Sequence, residues 1–443
     1  MLQNTDTIAA IATAQGHGGI GVVRVSGPAA ATLASAVLGS LPEPRRATFG
    51  SFLDKNRETI DQGIALYFPS PNSFTGEDVL ELQGHGGPAV LQLLMLRCLE
   101  LGARLAEPGE FTQRAFLNDK IDLAQAESVA DLIAATTSEA ARGAMRSLQG
   151  GFSAEIHALL DHLVRLRMLV EAMMDFPEEE IDAADSNLCN SMLRKISIKL
   201  QQILATAKQG RLLREGAHVA LIGRPNAGKS SLLNRLSGED VALVSNVPGT
   251  TRDVIREAIQ IRGIPLHILD TAGLRESDDE IENMGMARTH QIVSKADLIL
   301  LLIDSATGRT EEDEKIISCL PAGIPYLLVF NKSDLLQDSI ERDMQGIHIS
   351  AKSGEGIDDL RDEMLKLIGW HPQDGGTFIA RERHLSALNA TLSHVDRAFA
   401  VLQNAELLGE ELRLAQQALG SITGKFTSDD LLGEIFSHFC IGK

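Results

Sequence analysis

Residues 223–230 read Gly-Arg-Pro-Asn-Ala-Gly-Lys-Ser, which fits the spacing G-x-x-x-x-G-K-[S/T]. That spacing suits phosphate. Glycines let backbone N–H groups approach phosphate oxygens, and a helix starting at the lysine adds positive potential. In such a cradle Lys229 reaches the β- and γ-phosphates of a nucleotide, and the Ser230 hydroxyl ligates Mg²⁺. Further segments follow in order. Asp270-Thr271-Ala272-Gly273 offers a carboxylate that can hold Mg²⁺ through water, and a glycine N–H for the γ-phosphate. Asn331-Lys332-Ser333-Asp334 brings a carboxylate, Asp334, that can accept two hydrogen bonds from the guanine N–H edge. Adenine has no such edge, and a site built to bond one edge rejects analogues strongly. Ser350-Ala351-Lys352 can back the base with backbone N–H groups. Between the loop and Asp270 lies Pro248-Gly249-Thr250-Thr251-Arg252-Asp253, a polar switch segment whose Thr251 can complete the Mg²⁺ shell. The ordered set specifies GTP.

These groups need strands to end where they begin. Apolar runs at 218–222, 264–269, 298–303 and 325–330, with a weaker one at 346–349, alternate with helical stretches across 215–371. That alternation predicts a parallel sheet with helices on both faces. Residues 1–118 mix strand-like runs (19–25, 63–68, 78–82) with a helical stretch from Val90 to Leu101, an α+β pattern. Gln-Gly-His-Gly-Gly occurs at 15–19 and again at 83–87, too short an echo for a duplicated fold. From 119 to 214 strand signals vanish, and apolar residues such as Leu159, Leu163, Leu166 and Val170 recur at helical spacing. After a breaker-rich linker at 372–376 the chain is helical again. The fold class is therefore multidomain: α+β, all-α and α/β. Its segments are 1–118, 119–214, 215–371 and 372–443. The last is small to stand alone, so one helical domain interrupted by an inserted α/β unit is expected.

The chain has 443 residues, with 44% hydrophobic and 23% charged, ordinary for a globular protein. No run of about 18 apolar residues predicts a membrane span. No secretory signal is visible, and the four cysteines (98, 189, 319, 440) form no C-x-x-C pair. A reducing cytoplasm is expected. The net charge of −19 argues against a polyanionic partner, although a local basic patch can defeat a global average. His17 and His85 sit in glycine-rich turns and read as structural. Ras-like enzymes orient the attacking water with a Gln after Asp-x-x-Gly, but position 274 is Leu. Glu276, Asp278, Asp279, Glu280 and Glu282 are the open alternatives.

Three further motifs carry a resemblance over essentially the whole chain. They are Phe74-Thr75-Gly76-Glu77-Asp78 with 81–87, Pro108 to Thr112 with 116–123, and the terminal Phe439-Cys440-Ile441-Gly442-Lys443. The nucleotide domain resembles the Era/Obg-like branch of translation-factor GTPases, the TrmE-Era-EngA-YihA-Septin-like group. The whole chain resembles the MnmE (TrmE) family of bacterial tRNA-modifying GTPases. The resemblance implies GTP contacts from Asn226, Ala227, Gly228, Lys229, Ser230 and Ser231. It adds Ser245, Asn246, Val247, Pro248, Gly249, Thr250 and Thr251. It also adds Asp270 to Gly273, Asn331, Lys332, Asp334, and Ser350 to Lys352. It makes Glu282 the residue that positions or deprotonates water. It implies a K⁺ ion held by Asn226, Ser245, Val247 and Thr250, doing the work of an arginine finger.

The same resemblance makes residues 1–118 a folate-binding domain like that of the glycine-cleavage T-protein, which also dimerises. Its 5-formyl-tetrahydrofolate site maps onto Arg24, Glu81, Lys120 and Lys443, with Cys440 essential as nucleophile, acid/base or positioning group. It implies a homodimer that works with FAD-dependent MnmG (GidA) in a heterotetramer or larger complex. That complex would modify carbon 5 of the wobble uridine in certain tRNAs. A rival class is a ribosome-assembly or scaffold GTPase, which would need neither folate nor Cys440.

Overall fold

The computed structural model describes residues 6–175, 183–239, 255–270, 293–336, 346–371, 376–425, 429–437, 439, 440 and 442. It divides into two compact units. One comprises Met1–Ala130, Leu148–Asp161 and Gln416–Lys443; the other comprises Asp131–Ser147 and His162–Ala415.

The first unit is built on β1 (Ile8–Ile11), β2 (Gly18–Ser26), β3 (Thr48–Leu53), β4 (Thr59–Phe68), β5 (Val79–Gly86) and β6 (Arg104–Leu105). They form one sheet in the order β3-β4-β5-β2-β1-β6, antiparallel except for the β1–β6 pair. Alternation decides the faces. Val23 and Val25 of β2 and Leu80 and Leu82 of β5 enter a core closed by α1 (Ala30–Leu38) and α2 (Pro88–Glu100). Arg24 and Glu81, one residue out of phase, point to the other face as a cross-strand pair. There α3 (Glu110–Leu117) packs Phe111 against Ile8, Ala10 and Ala106. The two glycine-histidine pentapeptides lie side by side, with Gly18 opposite Gly86. A second small core joins Leu123 and Ala126 of α4 (Leu123–Ala134) to Phe436 of α13 (Asp429–Ser437) and to Phe439.

In the second unit the sheet order is β12-β11-β10-β7-β9-β8. Its members are β7 (Ala217–Gly223), β8 (Ile255–Ile261), β9 (Ile264–Asp270), β10 (Leu298–Asp304), β11 (Tyr326–Asn331) and β12 (Ile347–His348). All pairs are parallel except β8–β9. The antiparallel edge strand β8 is absent from the sequence reading. Arg256, Glu257 and Gln260 break the continuous apolar run by which the buried strands are recognised. Strand β10 shows why the sheet needs helices on both faces. Leu298, Leu300 and Leu302 enter one core with Leu232 and Leu236 of α8 (Lys229–Glu239) and Leu360 and Met364 of α10 (Ile357–Leu367). Ile299, Leu301 and Ile303 enter the opposite core, covered by Ile316 and Ile317 of α9 (Glu311–Ser318).

Long helices lead into and out of this sheet. Helices α5 (Ser138–Leu148), α6 (Gly151–Asp175) and α7 (Ala183–Glu215) precede it; α11 (Glu382–Ala400) and α12 (Ala405–Gly420) follow. The end of α7 meets the chain that leaves the sheet. Gly210 approaches so closely that a Cβ would lie 2.1 Å from the Phe378 carbonyl oxygen. Gln209 donates to Gly369 O at 2.7 Å. Arg214 and Arg381, from opposite sides of the α/β segment, both grip the buried Asp131 carboxylate at 2.8 Å.

Candidate functional site

The phosphate loop leaves β7 at Gly223 and enters α8 at Lys229. Asn226 holds φ 64° and Gly228 φ 96°, left-handed conformations that turn the loop back on itself. Gly228 has a second reason. A Cβ there would lie 2.1 Å from the Asn331 side-chain nitrogen. Asn331 uses the room that glycine leaves: its amide donates to Ala227 O at 2.9 Å and accepts from Ala351 N at 3.0 Å. One buried side chain thereby joins the phosphate loop to the loop after β12. Lys229 lies over the cradle, donating to Gly223 O (2.8 Å) and Arg224 O (2.9 Å). Ser230 and Ser231 follow in the first turn of α8.

The Asn-Lys-Ser-Asp segment leaves the end of β11. Lys332 takes φ 68° and pairs with Asp304 at 2.6 Å. Burial works against the Asp304 carboxylate. The Lys332 hydrogen bond and charge, together with a hydrogen bond from the Ala306 N–H, outweigh it and hold the carboxyl below its ordinary pKa. Asp334 Oδ1 accepts the Ser350 hydroxyl at 2.6 Å, and Ser353 N donates to the same hydroxyl at 3.1 Å. Asn331, Lys332, Asp334, Ser350, Ala351 and Lys352 therefore form one cluster beside the phosphate loop. Asp270 ends β9 opposite Leu221 of β7, so its backbone neighbours the strand that feeds the cradle. Ser245 to Thr251, Thr271 to Gly273, Glu282 and Lys443 lie outside the described residues.

Sequence reasoning passed over Asp304, Arg224 and Arg235. Asp304 ends a buried strand, where ligand sites of open α/β sheets gather, so its signal was present. Arg224 pairs with Glu312 at 3.0 Å. Arg235, on the last turns of α8, donates to Ala351 O at 3.1 Å and Lys352 O at 2.5 Å.

A second constellation lies in the first unit. Arg24 holds Glu81 at 2.9 Å, and its guanidinium carbon lies 5.8 Å from the Phe111 ring centroid. It also donates to Gly442 O at 3.4 Å, while Gly109 N donates to Cys440 O at 3.4 Å. Gly442 is thus held on the sheet face that carries the Arg24–Glu81 pair, and Cys440 is exposed. Lys120 donates to Pro71 O at 3.0 Å rather than to the Arg24–Glu81 pair. His85 is held by Asp61 at 2.7 Å. Among the described residues no group of three or more His, Cys, Asp or Glu is placed to hold a metal, and no helix is long and apolar enough to cross a membrane.

A doubly wound sheet, a glycine cradle opening a helix, and an Asn-Lys-Ser-Asp cluster on the next loops define a P-loop GTPase. Comparison with known proteins narrows that class. Residues 123–440 match the MnmE helical domain, and residues 7–120 match the GTP-binding protein TrmE N-terminus. The tRNA modification GTPase MnmE of Nitrosomonas europaea is 59% identical, and the alignment covers 100% of both chains. The tRNA modification GTPase MnmE of Dechloromonas aromatica is 56% identical over 99% of this chain and 100% of its own. A looser likeness, with 28% identity and a TM-score of 0.28, covers 40% of this chain and 66% of Aquifex aeolicus Era bound to GDP·AlF4⁻. The chain belongs to the MnmE (TrmE) family of tRNA modification GTPases, and it is a GTP hydrolase.

Proposed function

We propose that the chain is a K⁺-stimulated GTPase that acts as a homodimer in the cytoplasm. With FAD-dependent MnmG (GidA) it would convert carbon 5 of the wobble uridine in certain tRNAs to (carboxymethyl)aminomethyluridine. A folate of the 5-formyl-tetrahydrofolate type would supply the one-carbon unit. The observation that carries the nucleotide half is the Asn331 bridge between the phosphate loop and the base loop. It sets phosphate and guanine recognition at a fixed spacing. In this reading Lys229 turns from the loop carbonyls to the β- and γ-phosphates. Ser230 and Thr251 offer hard oxygens suited to Mg²⁺. Asn226, Ser245, Val247 and Thr250 offer the oxygen-rich set that K⁺ takes, and Glu282 positions water. The bound cations neutralise charge developing on the phosphoryl oxygens.

The modification half is supported by the surroundings of Arg24. A cation beside a phenyl ring and a carboxylate suits a ligand with both acid groups and a flat N–H-bearing ring. The C-terminal motif on the same face keeps Cys440 in the same unit as that pair. The meeting of α7 with Gly369 and Phe378 supports one helical domain, 119–214 with 372–443, interrupted by the GTPase segment 215–371. Mass spectrometry of tRNA nucleosides tests the reading in cells whose only copy is wild type, Glu282→Ala or Cys440→Ser. Wild type restores the modified uridine, and either variant leaves it missing. Full modification in both variants would overturn the assigned roles.

A further inference from the structure

We infer that Arg235 is a specificity-positioning residue: it holds the loop at 350–352, whose backbone N–H groups face the base. The inference rests on the guanine reading of the site and adds a residue to it. The loop at 350–352 is gripped from two sides. Asn331 accepts from Ala351 N through its side-chain oxygen at 3.0 Å. Arg235 takes the other side of the same peptides, donating Nε to Ala351 O at 3.1 Å and a terminal nitrogen to Lys352 O at 2.5 Å. Gly354 passes 3.7 Å from the guanidinium carbon, measured from a Cβ built on it. The planar fork of guanidinium matches two successive carbonyls, which a lysine could meet only as a single point.

The placement along α8 gives this grip its meaning. Lys229 and Ser230 open that helix at the phosphates, and Arg235 follows five to six residues later. A helix rises ~1.5 Å per residue, so phosphate and base ends are set ~8 Å apart by one rigid rod. Leu232, Leu233 and Leu236 fix the rod in the core. The base loop is thereby referenced to the helix that carries the phosphate ligands, independently of the strands.

The consequence is selective. A loop freed at its carbonyls loses aim at the group its N–H groups contact, the O6 of the base. Asp334, which reads the N1 and 2-amino edge, is held by the Ser350 hydroxyl, and the Ser350 backbone is fixed by Glu355 O and Gly354 N rather than by Arg235. Affinities of the full-length chain for GTP, inosine triphosphate and 2-aminopurine riboside triphosphate, measured by titration calorimetry, separate the two. Arg235→Ala is expected to weaken GTP and inosine triphosphate, which both carry O6, about tenfold. The 2-aminopurine nucleotide, which keeps the 2-amino group but lacks O6 and the N1 proton, is expected to bind more weakly than GTP and to bind wild type and variant alike. Arg235→Lys, which keeps the charge and a donor, is expected to fall between. KM for GTP should rise with binding, and kcat should move less than about twofold. Equal weakening of all three nucleotides, or no weakening of GTP in either variant, would overturn the inference. If wild type itself bound GTP no better than the 2-aminopurine nucleotide, the guanine reading would fall and this inference with it.

Discussion

At the scale of single residues, the proposed base pocket depends on what each oxygen is given to do. Asp334 has one carboxylate oxygen engaged by Ser350, so the side chain is oriented before a base arrives. Guanine presents two N–H groups, and xanthine presents one N–H and a carbonyl in that place. Asp334→Asn supplies an amide that can donate to the carbonyl but leaves one guanine N–H unpaired. GTP affinity should fall by about two orders of magnitude or more, with xanthosine triphosphate bound better than GTP. Competition against a labelled nucleotide reads this directly, and unchanged GTP preference would refute it. These residues were legible in the sequence because the motif is local: four consecutive positions, Asn331 to Asp334, follow one apolar strand. Arg235 was not, and Asp304 showed only its place at a strand end. Neither has a neighbour in sequence that hints at its partner. Arg235 meets Lys352 across 117 positions and Asp304 meets Lys332 across 28, so only the sheet order brings them together.

At the scale of elements, periodicity was a good guide where burial is two-sided and a poor one at edges. Strands β7, β9, β10 and β11 are continuous apolar runs, because helices cover both faces. Strands β1 and β6 are four and two residues long, and β8 is an edge with polar positions, so their patterns are too short or too mixed to read. Helix junctions were less legible still. Asp131 reads as one more acid on an amphipathic helix, yet it is 8% exposed and holds Arg214 at the end of α7 and Arg381 at the start of α11. Breaking a buried pair commonly costs ~3–5 kcal/mol, because an uncompensated charge is left behind. Arg214 remains about a third exposed here, so water can recover part of the loss. Asp131→Asn should therefore destabilise the second unit by about 2 kcal/mol. Chemical denaturation followed by Trp370, the sole tryptophan, measures this within that unit. A midpoint shift no larger than that of the exposed Asp358→Asn would show that the three-way contact is dispensable.

At the scale of the whole molecule, the chain leaves its first unit and returns to it. Residues 1–130 and 416–443 share one unit, while most of the intervening sequence builds another. The return is an apolar contact. Phe436 is 2% exposed, with ring centroids 5.3 Å from Phe439 and 6.5 Å from Phe116, and it packs with Leu123 and Ala126. Cys440 and Gly442 follow this contact in the chain, and among the described residues Gly109 N holds the Cys440 carbonyl and Arg24 the Gly442 carbonyl. Truncating a buried phenyl ring typically costs ~3–5 kcal/mol, since the cavity only partly collapses. Phe436→Ala should therefore loosen the first unit and release the motif, without touching the residues that hold the nucleotide. Hydrogen exchange read by mass spectrometry can locate the effect. Amides of α3 and α4 should exchange at least about tenfold faster, while those of β7 and β10 keep their wild-type rates and the Trp370 unfolding transition stays in place. Modification of tRNA should then fail while GTP turnover persists, because Cys440 is no longer held in the unit that carries Arg24 and Glu81. Equal acceleration in β10 and α4 would mean that Phe436 supports the molecule at large, and its link to the motif would lose its basis.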